Sequence, residues 1–381
     1  MKGQNCRHRY IERCTGEETY RAFLPSLLPI RNIDTEKVRP FLDKANVSLG
    51  RLDGASSILP DIHLYTYMYI RKEAVLSSQI EGTQSSLSDL LLYESGDSSI
   101  DSIDEAIEIS NYVRAINYAL EENKELPLSL RLIRNTHKIL LENSRGKDKR
   151  PGEFRTSQNW IGGTRPGNAV YVPPSQEYLM EYLDNLEKFI YSDTAPLIKV
   201  AICHAQFESI HPFLDGNGRI GRLLITLMLC NENIISKPVV HLSLFFKEHR
   251  ETYYELLQNV RTKNDWDSWV IFFLNGISTV CDKAVKMMRD IFHLFEKDGK
   301  KLLSLKIKTN SLFTVYDALK NTPVTTIKHI VEDTNLSEKT ILRMLRILEK
   351  LDIVTEITNN QRNLRFSYKK YMYILSTGIG D

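Results

Sequence analysis

Long apolar runs are missing from this 381-residue sequence. No stretch approaches the roughly 20 residues that a membrane-spanning helix needs. The opening residues, MKGQNCRHRYIERC, hold no apolar core of a secretory leader. Both absences point to a chain that works in the cytosol, without a membrane. Cysteine is scarce, with five residues at positions 6, 14, 203, 230 and 281. None stands in a Cys-x-x-Cys pair, so neither a zinc ribbon nor a disulfide framework is expected, and the thiols read as reduced. Cys203 and Cys230 sit in apolar helical surroundings and read as core. Glycine and proline are few, and no internal repeat or long low-complexity tract occurs, as in an ordinary globular chain. Net charge is only +2 but unevenly spread. Residues 301–381 carry 13 Lys+Arg against 8 Asp+Glu, and the remainder 37 against 40. A basic block on a near-neutral body suggests a separate module that faces nucleic acid.

Helical periodicity fills most of the rest. Residues 1–34 read as irregular, with Pro25 and Pro29 interrupting any helix. Helices are expected at 60–80, 101–123, 127–143, 174–192, 195–210, 218–232, 248–262 and 266–296. Residues 151–173 differ. Gly162, Gly163, Pro166 and Gly167 punctuate two β-prone stretches, 154–161 and 169–172, which predict a hairpin. The lysine-rich stretch 297–310 reads as a linker. Beyond it come a helix at 311–320, a segment 325–332, a turn, and a helix 337–351 N-capped by Ser337. Strands at 353–358 and 363–368, joined by the turn NNQRN, complete the order of a winged helix-turn-helix. On helix 337–351, Lys339, Arg343, Arg346 and Lys350 share a face suited to DNA phosphates. The alternative use of such a module is protein contact or dimerisation.

The segment His211 to Arg222, HPFLDGNGRIGR, carries the most chemistry. A helix stops at His211 because the residue before a proline avoids the helical region. Gly216 and Gly218 let backbone N–H groups approach an anion at the start of the next helix. Arg219 and Arg222, three apart, share a helix face and can grip successive phosphates. Asp215 is an oxygen ligand suited to Mg²⁺, and Asn217 can donate its amide to a phosphoryl oxygen. His211 can take a proton from an attacking hydroxyl. His204, Glu208 and His211 also form a stripe that would suit a transition metal. The helix break at His211–Pro212 and the arginine pair favour phosphate instead.

This segment resembles the Fic family signature HPFx[D/E]GNGRxxR and matches every fixed position; HAQFESIHPF, PGEFR at 151–155 and HRETYYELL at 249–257 extend the resemblance over most of residues 20–296. It implies a mainly α protein, a Fic-type helical bundle with a small β-hairpin flap, followed by the C-terminal winged helix-turn-helix. The implied activity is transfer of AMP from ATP to a hydroxyl of a target protein. His211 would be the base, and Asp215 would hold Mg²⁺. Gly216, Asn217, Gly218 and Arg219 would cradle the α- and β-phosphates, with Arg222 on the γ-phosphate and Phe213 as an apolar anchor. Tyr253, Tyr254 and Arg261 are candidates for the adenine and ribose pocket.

A second segment, SSQIEGT, puts Ser77 and Glu81 four apart on a helix, with Gly82 placed to end it. It resembles the Fic inhibitory motif [S/T]xxxE[G/N]. The resemblance implies a brake in which Glu81 pairs with Arg222 and displaces the γ-phosphate. The expected organisation is an N-terminal helical region 1–100 with the inhibitory helix around 66–82, a catalytic domain 101–296 and the winged module 297–381. A target Ser, Thr or Tyr hydroxyl would be presented on the flap 154–172 by β-addition. Self-modification, a homodimer and DNA contact through 337–351 are further expectations. Two alternatives use the same site: an ATP-sensing transcriptional regulator, and removal of AMP with Glu81 orienting a water.

Overall fold

The computed structural model describes residues 9–15, 18–58, 62–96, 102–305, 309–358 and 364–377. The bundle opens with α1 (Thr35–Ile58), which takes Pro40, Gly50 and Gly54 within it, and with α2 (Ile62–Ile80), α3 (Leu87–Glu94), α4 (Ile103–Glu125) and α5 (Leu130–Leu140), which hold neither glycine nor proline. The bundle continues through α6 (Gln176–Ile190), α7 (Pro196–Ile210), α8 (Asn217–Asn231), α9 (Leu242–Glu248), α10 (Arg250–Lys263) and α11 (Trp266–Leu303). α7 is apolar on nearly all sides and buried from Lys199 to Ile210, as expected of the helix at the centre of a bundle. Side-chain caps set several boundaries. Ser86 forms a capping box with Asp89, and Ser129 accepts from the Leu132 N–H.

The N-terminal region is not purely helical. Residues read as irregular pair as an antiparallel hairpin, β1 (Arg9–Thr15) with β2 (Glu18–Leu24), in register from Arg9 opposite Leu24 to Thr15 opposite Glu18. Alternation explains it: along β2, Tyr20 and Ala22 are buried while Thr19 and Arg21 are not. The flap departs from expectation the other way. Instead of two strands it has one antiparallel bridge, Ile161 to Tyr171, around a 3-10 turn at Pro166–Asn168. The glycines and prolines that signal the turn leave too little chain for a ladder. β2 covers one side of this segment, with the Phe23 N–H donating to the Val172 carbonyl at 2.9 Å.

The linker expected at 297–310 starts late, because α11 runs on to Leu303. Asp298 is fully buried and accepts from the Tyr368 hydroxyl at 2.7 Å, so the helix itself ties the C-terminal module to the bundle. That module orders as α12 (Asn310–Asn321), β3 (Val324–Thr326), α13 (Ile327–Thr334), α14 (Glu338–Lys350), β4 (Thr355–Glu356), β5 (Arg365–Ser367) and α15 (Lys369–Ser376). The strands form an antiparallel sheet in the order β3-β5-β4, consistent with a winged arrangement. The NNQRN turn lies outside the described residues, and the sequence reading did not anticipate α15. The basic stripe on α14 is weaker than it looked. Arg346 is paired with Glu349 at 2.8 Å and Glu356 at 2.7 Å, which takes one of the four cations out of the stripe. No helix among the described residues is long and apolar enough to cross a membrane.

Candidate active site

α7 ends where Pro212 requires it to end. His211 turns into the left-handed region, φ 50° and ψ 62°, while its N–H still donates to the Phe207 carbonyl at 2.9 Å. Gly216, at φ 75°, makes a second left-handed turn and starts α8. Between these turns Phe213 is fully buried, its ring stacked on His137 at 3.7 Å between centroids and 6° between planes.

Much of the loop's polar chemistry holds the loop itself. Asn217 Oδ1 accepts from the Phe213 N–H at 2.8 Å, and Asn217 Nδ2 donates to the Phe213 carbonyl at 2.9 Å. The amide expected to meet a phosphoryl oxygen is therefore already committed to the backbone. The Gly152 N–H donates to His137 Nδ1 at 2.9 Å, so Nε2 carries the proton and donates to the Asp215 carbonyl at 2.9 Å. Burial pushes the His137 pKa down to about 4, which keeps this strut neutral. Arg155 of the PGEFR segment donates from Nε to the His211 carbonyl at 3.0 Å and from Nη2 to the Pro174 carbonyl. Asn159 Nδ2 bridges the carbonyls of His211 and Phe213 at 3.2 and 2.9 Å.

The braced loop walls a polar cavity of about 260 Å³, shared by Glu81, Arg145, His211, Asp215, Arg219 and the backbone of 216–218. His211 Nδ1 is buried without a hydrogen-bond partner among the described residues. Its enclosure, then the charges of Arg261 and Arg155, push its pKa down to about 3, so the imidazole is neutral at pH 7. Arg219 is buried yet loosely held. Nη1 lies 3.4 Å from Glu108 Oε2, Nη2 lies 3.8 Å from Asp215 Oδ1, and Nε has no partner among the described residues. A guanidinium with long contacts and an orphaned donor is what an incoming anion would complete. Glu108 also lies 3.4 Å from Arg145 Nε, on the exposed rim. Sequence reasoning missed Glu108, Arg145 and His137. A single Glu or His inside a helical pattern, or one Arg in a charged loop, carries no signal by itself.

Arg222 makes three hydrogen bonds to the end of α2 and the turn after it. Its Nε donates to Ser77 Oγ at 2.9 Å, and its Nη2 donates to the Ser77 carbonyl at 2.9 Å and to Glu81 Oε1 at 2.6 Å. Ser77 lies on α2, but Glu81 falls in the turn just after it, its N–H donating to the Ser78 carbonyl. Gly82 follows at φ 100°. Burial pushes the Glu81 carboxyl up, and the pull of Arg222, then of Arg219, brings it below the usual carboxylate value. A Cβ on Gly218 would overlap the Glu81 carboxylate, so the glycine makes room for this pair.

The metal stripe does not assemble. His204 Nδ1 lies 3.0 Å from the Gly221 carbonyl and Nε2 lies 2.9 Å from the Tyr253 hydroxyl, so both nitrogens are used. Among the described residues no group of three His, Cys, Asp or Glu side chains is placed to hold a metal. Tyr253 is fully buried, and Arg261 lies beneath the loop, donating to the Glu208 carbonyl at 3.1 Å. Neither is open to a nucleotide base. Tyr254 is 43% exposed, and burial, then the Glu81 charge, push its phenol up.

Residues 40–121 match the Fic/DOC family N-terminal region, and residues 127–229 match the Fic/DOC family. The protein adenylyltransferase Fic of Aedes aegypti is 31% identical over 198 residues, 50% of this chain and 36% of that protein. The protein adenylyltransferase fic-1 of Caenorhabditis elegans is 30% identical over 129 residues, 33% of this chain and 24% of that protein. The matched region thus spans about a third or less of these curated relatives. A Fic family protein from Desulfovibrio desulfuricans shares the fold over 91% of this chain and 98% of its own, at 18% identity and a TM-score of 0.56. Fic-1 of C. elegans does so over 67% and 74%, at 22% identity and a TM-score of 0.51. With the two domain matches and the complete loop signature together, residues 40–121 and 127–229 belong to the Fic/DOC family.

Proposed function

We propose that the protein transfers the AMP moiety of ATP to a side-chain hydroxyl of a target protein, and that Glu81 holds this reaction in check. One observation carries the reading. A neutral imidazole, an under-satisfied guanidinium and a glycine-flanked helix start share a polar cavity with a carboxylate that holds the second arginine of the signature. The activity in the relatives' names agrees with it.

In this mechanism His211 accepts the proton of the attacking hydroxyl. The hydroxyl oxygen bonds to the α-phosphorus, the bond to the bridging oxygen breaks, and pyrophosphate leaves with the electron pair. A positioned base contributes roughly 10²–10⁴-fold. Arg219 and the N–H groups at the start of α8 neutralise the developing phosphoryl charge. Asp215 suits Mg²⁺. Gly216 N–H takes its Oδ1 at 2.6 Å, and Oδ2 is left for a cation that the triphosphate would share. Such an ion would neutralise charge between the phosphates. With Arg222 drawn onto Glu81, the γ-phosphate loses its cation and meets a carboxylate.

The covered side of the flap belongs to β2, so we assign target docking to the other edge. The Ile161–Tyr171 bridge directs the backbone groups of Trp160 away from that pair, toward an incoming strand. The cytosol, where ATP is supplied, is the proposed site of action.

With ATP radiolabelled at the α-phosphorus and a cell lysate, the Glu81→Gly chain should label an acceptor protein. The Glu81→Gly/His211→Ala chain, folded, should not. Absence of label with the first variant overturns the transfer reading; full label with the second overturns His211 as the base.

A further inference from the structure

Away from the catalytic loop, α2, α9, α11 and α15 enclose a cavity of about 420 Å³. Its apolar walls come from Leu244, Val280, Met287 and Ile374, and the exposed Lys286 and Asp290 also line it. Two buried polar side chains border it. Lys72 is 3% exposed, and among the described residues its ammonium meets only neutral acceptors, the Thr377 carbonyl at 2.7 Å and Met287 Sδ at 3.9 Å. Glu248, a carboxylate on the same wall, is taken by Lys283, whose Nζ lies 2.7 Å from each of its oxygens. His241 is 4% exposed, and its Nε2 has no partner among the described residues. Its ring is held in place by stacking on Tyr69 at 4.2 Å.

A buried ammonium without a counter-ion is costly, and so is a buried ring nitrogen without a hydrogen bond. Both costs fall on one cavity. An apolar chamber with a few convergent polar groups has the make-up of a small-molecule site. We propose that this cavity binds a small monocarboxylate with an apolar body. The carboxylate pairs with the Lys72 ammonium and accepts from the His241 Nε2–H, while the body lies against Leu244, Val280 and Met287. A single buried ammonium in mainly apolar walls matches one negative charge better than a phosphate. The site is independent of the transfer reading, although Lys72 shares α2 with Ser77, which holds Arg222.

The test is titration calorimetry on the full chain with benzoate, hexanoate and 3-phenylpropanoate, and with 3-phenylpropanol as the neutral control. At least one carboxylate should bind saturably at one site, about tenfold or more tighter than the alcohol. Lys72→Met, which replaces the ammonium by an apolar group of similar length, should weaken that binding by about tenfold or more. Ala284→Phe, which fills the chamber and leaves Lys72 in place, should abolish it. No saturable binding by any of the three carboxylates overturns the proposal. So does unchanged affinity in folded Lys72→Met or Ala284→Phe.

Discussion

Arg222 is where the two informative segments of the sequence meet, through three hydrogen bonds to Ser77 and Glu81. Removing the carboxylate leaves a buried guanidinium beside the cavity with its other contacts intact. Glu81→Gly should therefore raise the initial rate of AMP transfer by about tenfold or more, about 1.4 kcal/mol off the barrier. The Glu81→Gly/Arg222→Ala chain should lose most of that gain. Equal initial rates for wild type and Glu81→Gly would reduce the ion pair to a structural contact. Legibility at this scale followed spacing. His211, Asp215, Arg219 and Arg222 stand in one contiguous pattern, and Ser77, Glu81 and Gly82 in another. What the pattern hid was how each side chain is spent. Asn217 turned inward because the amide can satisfy both backbone groups of Phe213 at once. His137 and Arg155 became struts through contacts that bridge 78 and 56 residues of chain, which no local reading reaches.

Among the elements, helices with clear periodicity were legible to within a few residues, because burial of one face and the caps act locally. The N-terminal hairpin was not, since its strands owe their stability to the partner they cover. Tyr20 and Ala22 pack on Val172, far along the chain. The flap misled for the converse reason: its turn signals were real but its strands were not. The end of α2 shows how one residue positions an element. Gly82 sits at φ 100° with open space where a Cβ would be, so a side chain there is opposed by backbone strain alone. Gly82→Ala should cost about 1–2 kcal/mol. Gly82→Asn should cost less, because asparagine tolerates positive φ better. Thermal melting of the three proteins measures the order; equal melting temperatures would mean that the turn relaxes without strain. If the turn aims Glu81, Gly82→Ala should also speed transfer.

At the scale of the whole molecule, buried titratable groups set the pH range of stability. His137, His204 and His211 are pushed down to about 4, 3 and 3, so each favours the folded state fully above the ordinary histidine value of about 6.5. That contribution is lost as pH falls below it. Burial raises Glu73 to about 8 and Glu208 to about 7, so their contribution is complete below about pH 4.5 and is lost as pH rises toward those values. Burial lowers His241 and raises Glu108 as well, so four gains run against three losses up to about pH 6.5; from there to about pH 8, where Lys72 begins to contribute, losses alone remain, so the urea midpoint should peak near pH 6.5. A midpoint that climbs steadily to pH 9 would contradict this. The C-terminal module should unfold in the same cooperative unit, because α11 crosses the expected boundary at 297 without a break. Asp298 is the buried joint. It accepts from the Tyr368 hydroxyl at 2.7 Å and lies 2.7 Å from Lys301 Nζ, while Phe295 one turn earlier packs edge-on against Tyr371. Asp298→Ala leaves the Tyr368 hydroxyl with the longer contact to the Tyr316 hydroxyl, at 3.3 Å, and should cost about 1–3 kcal/mol. Because the bundle and the module share that helix, both wild type and Asp298→Ala should unfold in one transition. Tryptophan emission, which reports Trp160 in the flap and Trp266 and Trp269 in the bundle, should coincide with tyrosine absorbance, which also reports Tyr316, Tyr368 and Tyr371 in the module. Two separated transitions in the wild type would show that α11 is a tether, and the module an independent domain.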